Sequence, residues 1–385
     1  MESTGGDGAT DAARADVSAP KPGNVDNGTP VRRRVFVMLP SQLDTTDFFE
    51  LFQVGLKADR SPWGLGWPAD FGFDVEYSAA TLPHGARGFL QRSIRAVVGT
   101  DLAHGWANRK AINRADVILT HMEREWVAAA FAIQRGGSGP RLIANTIWLP
   151  GEWSSRNVAW KWAVNRARAK AACFTFNARP ALEEFERRFG TQVPCRFVPF
   201  GVSWESFVPA VSEPDADLPV LVAGDDRYRD WALLGTVAAA LADVRFLVAS
   251  KSAPADLGSL PNVEIIAAKG PHDMQQLYER CAVSFIPLQP NLHASGITVA
   301  LETARVGRPI VVTDTGGMCD YFAAHEVGYI TPGDASDAIG RIQEIRGSPQ
   351  RFQALVDAAT TRINVSRYDS RSFAERLMRA AGELE

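Results

Sequence analysis

Cysteine is sparse in this chain of 385 residues, which has only Cys173, Cys195, Cys281 and Cys319. No two stand close enough for a CxxC metal or redox motif. Each lies among apolar neighbours, as a reduced core cysteine does. That excludes a disulfide-stapled scaffold and fits a reducing, cytoplasmic compartment. No apolar run is long enough to span a bilayer. The first thirty residues, rich in Gly, Ala, Asp, Ser and Pro, lack the apolar centre of a signal peptide, and residues 1–30 read as a disordered tail. A DxD-like acidic pair in a metal-site setting is missing as well. Asp225 and Asp226 are adjacent acids, which suits a turn. No metal, cofactor or nucleic-acid partner is therefore expected.

What is present points to two domains. A chain this long exceeds a single hydrophobic core. Hydrophobic residues at 46% and charged residues at 22% fit a soluble globular protein. The net charge of -3 is unevenly spread. Residues 32–205 carry seven more basic than acidic groups, and residues 206–385 seven more acidic than basic. A basic half suits an anionic acceptor or an anionic membrane surface, and equally a plain solvated face.

Strand patterns alternate with helical ones. Strands are expected at VRRRVFVMLP (31–40), FDVEYS (73–78), ADVILTH (115–121), RLIANTIWL (141–149) and AACFTFN (171–177). Helices are expected at 88–99, 123–134 and 180–190, the last with Pro near its start and Gly after its end. The pattern restarts after a polar linker at 210–219. Strands are then expected at 218–224, 244–250, 263–268, 282–288, 308–314 and 327–331, and two amphipathic stretches close the chain. Such alternation predicts parallel sheets covered on both faces. The division is 31–209, 210–365 and a terminal helix, 366–385, that packs back on the first domain. Ligands bind outside the carboxyl ends of such strands, which puts a site in the cleft between the halves.

Three segments of the second half carry chemistry. In 293–322, small residues Ala294, Ser295 and Gly296 lead into the helix ITVALETARVG. Free N–H groups and the helix dipole there suit a phosphate. Glu302, two turns in, suits vicinal hydroxyls such as those of a ribose, or else faces solvent. In 220–241 a strand ends at Gly224, and a turn brings Arg227 and Arg229 ahead of a helix capped by Asp230. An arginine there is placed to neutralise a diphosphate, or else lies on the surface. The turn 268–270, with Lys269, is a candidate wall for a nucleotide base.

In their order these segments resemble the donor-binding domain of GT-B glycosyltransferases, in particular family 4 and related bacterial exopolysaccharide and glycolipid transferases. The matching pieces are Gly224 with Arg229, residues 263–270, SFIPL, and Ser295-Gly296 with Leu301-Glu302-Thr303. Earlier, RFVPFGVSWESFVP resembles the interdomain signature of that family, with Pro199, Gly201, Val202 and Phe207 in place. Ser203 stands where an Asp is usual. The resemblance implies two doubly wound, Rossmann-like domains facing a cleft. It implies a nucleoside-diphosphate sugar donor, UDP- or GDP-linked, and a saccharide or lipid-linked acceptor. Glu302 would bind the ribose. Arg229 and the backbone at Ser295, Gly296 and Ile297, with Thr298, would hold the phosphates without metal. The family's paired glutamates stand eight positions apart, and the position eight before Glu302 is Ala294, so one acid is missing. A sugar phosphorylase, a nucleotide-sugar epimerase or a silent nucleotide-sugar binder shares the scaffold.

The first half offers Asp44, His121 and Glu123 as candidate bases, without a ranking among them. Eight of the ten tryptophans lie there. Trp63 and Trp67 are placed to flank an acceptor sugar. FLQRSIRAVVG and WKWAVNRARAKAA combine apolar faces with Arg and Lys, which suits either a membrane surface or core helices with solvated charges.

Overall fold

The computed structural model describes residues 32–81, 95–134, 139–210, 215 and 217–384. The first sheet contains β1 (Arg34–Met38), β2 (Asp74–Tyr77), β3 (Val117–Thr120), β4 (Arg141–Thr146), β5 (Ala171–Phe176) and β6 (Cys195–Phe197). Their spatial order is β2-β1-β3-β4-β5-β6, and every pairing is parallel. The second sheet contains β7 (Val220–Ala223), β8 (Phe246–Ala249), β9 (Val263–Ile266), β10 (Val283–Ile286), β11 (Ile310–Thr313) and β12 (Gly328–Ile330). Its order is β12-β11-β10-β7-β8-β9, again parallel throughout.

Period-two side chains explain the layering. In β1, Val35 and Val37 enter one apolar core while Phe36 and Met38 enter another on the opposite face. β7 divides likewise, with Leu221 and Ala223 on one face and Val220 and Val222 on the other. Strands buried on both faces need helices on both, and the sequence supplies them between strands. Helix Arg179–Phe189 starts with Pro180 in its first turn and stops at Gly190, whose φ is +75°. Helix Trp231–Ala240 is capped by Asp230, whose carboxylate accepts the Leu233 N–H at 3.0 Å.

The expected strands all form. In RLIANTIWL, however, the strand stops at Thr146, and residues from Leu149 turn into the short helix Leu149–Glu152. Of the helix expected over 88–99, residues 88–94 lie outside the described residues, and 95–98 are helical. The pattern gave no helix at Thr46–Gln53, and one forms there without a single buried side chain. Cys173, Cys195 and Cys281 are buried, but Cys319 is exposed, which corrects the reading of four core cysteines. It sits in the tight turn Met318–Asp320, whose inward position is taken by Met318.

Helix Ser370–Ala380 lies against the first sheet. Phe373, Leu377 and Met378 join the core of Val35, Val37, Val117 and Leu119. Each such side chain stabilises the first domain by roughly 1.5–3 kcal/mol. The chain thus crosses between domains twice, and the two crossings pair. The Val202 N–H donates to the Tyr368 carbonyl at 3.1 Å, and the Ser370 N–H to the Val202 carbonyl at 2.9 Å. Gly201 is required there, because a Cβ would collide with the Asp369 carbonyl.

Candidate active site

In each sheet the strand order reverses once, and ligands of such sheets bind at the crevice this opens. In the second sheet the reversal lies between β7 and β10, so two loops meet there: 224–230 after β7 and 287–296 after β10. They are tied together. The Asp230 N–H donates to the Pro287 carbonyl at 3.0 Å, and the Gln289 N–H to the Tyr228 carbonyl at 2.8 Å.

Arg229 lies beneath this crevice, with only 2% of its surface exposed. Its Nη2 donates to the Ala223 carbonyl at 2.6 Å, while Nε and Nη1 have no partner. Two glycines make room for it. A Cβ on Gly224 would come within 2.6 Å of Nη2, and one on Gly296 within 2.9 Å of Nη1. Both glycines also have positive φ, +101° and +74°. Burial lowers the Arg229 pKa to about 10, against the raising effect of Asp226, Tyr278 and Asp225 at longer range, so it remains a cation at neutral pH. An unpaired cation inside a protein costs several kcal/mol unless an anion compensates it. Beside it, Gly296 caps helix Ile297–Val306, and the buried Ser295 hydroxyl also lacks a partner. A buried cation, an unpaired hydroxyl and a helix N-terminus facing one crevice form an anion seat.

Glu302 is half-buried on that helix, and its Oε2 accepts the Tyr278 hydroxyl at 2.7 Å. Burial raises its pKa to about 7, against the lowering effect of Tyr278. It is therefore not a freely solvated helical glutamate. Lys269 is exposed, and its N–H donates to Asp273 at 2.9 Å, fixing the turn before helix Pro271–Glu279. The adjoining Gly270 lies against Gly55 and Leu56 of the first domain.

The first sheet reverses between β1 and β3, and its three candidate bases follow those strands. The structure separates them. His121 is buried and stacks on Trp63, ring centroids 4.0 Å apart and planes 12° from parallel. Burial lowers its pKa to about 3, so it is a neutral imidazole, and its Nδ1 has no partner. Trp63 and Gly64 both have positive φ, +52° and +71°. Glu123 is committed elsewhere. Its Oε1 accepts the N–H groups of Ile147, Trp148 and Leu149 at 2.8, 2.6 and 2.7 Å. This carboxylate holds the start of helix Leu149–Glu152, where four N–H groups otherwise lack partners. Asp44 is exposed and accepts the Thr46 N–H at 2.9 Å, which holds its pKa below the ordinary carboxylate value. Trp67 does not flank a sugar site. It lies under Arg60, and its indole N–H donates to Ser370 at 3.1 Å.

Two cavities lie between the domains. One of about 130 Å³ is bounded by His121, Asn177, His293, Ala294, Ile297 and Thr298, among others. The other, about 390 Å³, is bounded by Glu123, Arg124, Arg156, Trp160 and Arg227, among others. Trp148 and Asp226 line both. Trp148 reaches from the first domain into the second. Its ring lies 4.2 Å from His293 and 6.1 Å from Tyr228, and the Arg227 guanidinium sits 4.3 Å above it. Arg227 also pairs with Glu152 of the first domain. The sequence reading missed Trp148, Asn177, Asp226 and His293 as site residues. The small-residue loop beside His293 was a signal for that residue. Nothing local marks Asn177.

Among the described residues, no group of three or more His, Cys, Asp and Glu side chains is placed to hold a metal ion, and no helix is long and apolar enough to cross a membrane. Residues 205–346 match the family described as Glycosyl transferases group 1. No curated protein matches the sequence. Similar solved structures span nearly the whole chain. A sucrose-phosphate synthase from Thermosynechococcus elongatus has 16% identity and a TM-score of 0.69, over 90% of this chain and 98% of that one. Anabaena HepE, solved in complex with UDP-glucose, has 14% identity and a TM-score of 0.66, over 91% and 100%. A glycosyltransferase from Rickettsia africae has 11% identity and a TM-score of 0.61, over 92% and 98%. The protein therefore has the GT-B fold of these structures, and its residues 205–346 match a group 1 glycosyl transferase domain.

Proposed function

We propose that the chain transfers a sugar from a UDP- or GDP-linked donor to a hydroxyl of a saccharide or lipid-linked acceptor, in the assembly of a cell-surface polysaccharide or glycolipid. The observation that carries this reading is the unpaired Arg229 guanidinium under Gly224 and Gly296. A diphosphate seated there supplies the missing anion. The Thr298 N–H and the Ser295 hydroxyl complete its shell, and Glu302 receives the ribose hydroxyls. Charge that develops on the leaving diphosphate is met by Arg229 and the helix N-terminus, with no metal in the role. The UDP-glucose complex of HepE supports a nucleotide-sugar donor.

The acceptor enters from the larger cavity, whose walls include Arg124, Arg156 and Trp160. Exposed Val158 and Trp162, on a helix with Lys161 and Arg166, suit a cytoplasmic protein that rests on an anionic membrane. Calorimetry with UDP, GDP and ADP tests the donor site. Micromolar binding of UDP or GDP, lost in Arg229→Ala, is the expected result. An absence of binding for all three overturns the reading.

A further inference from the structure

The smaller cavity has an ionisable wall that the proposed donor site leaves unused. Its volume of about 130 Å³ is room for about four waters at ~30 Å³ each, enough for part of a sugar ring. It begins at Ile297 and Thr298, the N-terminus of the helix proposed to seat the diphosphate. A sugar attached to that diphosphate therefore projects into it.

The side chains around that space differ in what they offer. His121 and Asn177 come from the first domain, Thr298 from the helix, and Asp226 and His293 from the two loops of the crevice. Asp226 is the one carboxylate among the residues lining the cavity. Its side chain is 19% exposed, and its Oδ1 accepts the Tyr228 N–H at 2.8 Å. Oδ2 stands 3.8 Å from the Nε2 of His293. His293 is packed between Trp148 and Tyr228, with ring centroids 4.2 and 4.9 Å away, and its Nε2 is buried without a hydrogen-bond partner. Burial alone would push the Asp226 carboxyl up. The His293 ring and the Tyr228 N–H act against it, and the pKa is lowered. An ionised carboxylate thus borders the space beside the proposed diphosphate seat. An ionised carboxylate is acceptor-only, so it favours hydroxyl donors and repels a second anion.

We propose that Asp226, braced by His293, is the specificity-determining carboxylate for the transferred sugar, accepting hydroxyl hydrogen bonds from a neutral hexose and rejecting a uronic acid. The proposal rests on the donor-site reading above, and it places a carboxylate in the same cavity that Ala294 lines without one. Asp226 acts on binding and selection here, and no proton transfer is assigned to it.

Calorimetry on the full chain tests it with UDP, GDP, a set of neutral donors (UDP-glucose, UDP-galactose, UDP-N-acetylglucosamine, GDP-mannose) and UDP-glucuronate. The best neutral donor should bind at least about tenfold more tightly than UDP-glucuronate, the scale of one charged hydrogen bond. Asp226→Asn removes a negative charge near Arg229 and should not weaken the affinity for the free nucleotide. It should weaken the best neutral donor about tenfold and shrink the glucuronate penalty to below about threefold. His293→Gln, which removes the brace and keeps the carboxylate, should give a smaller loss of the same kind.

A wild-type chain that binds UDP-glucuronate as well as its best neutral donor overturns the proposal and leaves the donor site standing. That comparison needs no variant. An Asp226→Asn protein that loses free nucleotide and nucleotide-sugar affinity in equal measure overturns it too, since Asp226 would then serve the loop alone. A wild-type chain that binds neither UDP nor GDP overturns the donor-site reading, and this one with it.

Discussion

The two halves of the molecule share one plan and use it differently. Each has six parallel strands and one reversal of strand order. In the second half the reversal is served by short loops. Seven residues separate β7 from its helix, and ten separate β10 from helix Ile297–Val306. The proposed seat there is built of backbone N–H groups, two glycines with positive φ, and one buried arginine beneath them. In the first half, the connection from β1 to β2 runs from Leu39 to Phe73 and contains its own helix and tight turns. Beside that reversal stand side chains such as His121 and Trp63, stacked on each other across a long sequence separation. A phosphate is common to many donors, so a backbone seat suits it. An acceptor is particular, and long loops suit that task.

The largest effect that sharpens this contrast is expected at Arg229. Arg229→Met should weaken UDP binding about 100-fold, because a buried cation and a diphosphate make charge-assisted hydrogen bonds. The same change should raise the melting temperature of the ligand-free protein, since an unpaired buried charge is removed. A lowered melting temperature would contradict the account of Arg229 as unpaired. Next comes Glu123→Ala. It should destabilise the fold by roughly 2–3 kcal/mol in urea unfolding, because three N–H groups lose their acceptor. UDP affinity of the folded protein should stay unchanged, as the donor half does not use this group.

Glu302→Ala should weaken UDP about tenfold, or about 1.4 kcal/mol. The pH dependence follows from its pKa of about 7. Below that value the carboxyl is protonated, and binding ribose hydroxyls as a carboxylate must expel the proton. Affinity for UDP-glucose, whose esterified diphosphate does not titrate in this range, should therefore fall as pH drops from 8 to 6, with proton release seen as a buffer-dependent binding heat. The Glu302→Ala protein should lose that dependence, and a wild-type affinity flat over this range breaks the assignment. The smallest effect is expected at Lys269, exposed and joined to the site through its backbone. Lys269→Ala should change UDP affinity less than about threefold.

The same contrast explains what could be read from the residues. The strands were legible because both-face burial leaves continuous apolar runs such as VLVA and SFI. Gly224, Arg229 and Gly296 could be named in advance because a loop followed by a helix is a local pattern, and the structure brings the three together. Glu123 was not, since its carboxylate is occupied by amides some 25 residues onward, and no local pattern announces such a partner. Asp226 was read as a turn residue, and its contact with the Tyr228 N–H agrees with that. Its place on the wall of two cavities emerges only when the domains face each other. Trp148 shows the same limit. It ends an apolar stretch that reads as strand, and the strand stops two residues before it.

The paired crossings at Val202 and Ser370 bear on how the chain is made. The second domain is, in topology, an insertion between two parts of the first. The core around Val35 and Val117 is closed by Phe373, Leu377 and Met378, which leave the ribosome only after the whole second domain. Domains generally fold in the order of synthesis, N-terminal first. Here that order is inverted: the later domain can complete its core while the earlier one still exposes an apolar sheet face. A stall or truncation before residue 370 would therefore leave a finished donor domain attached to an unfinished partner.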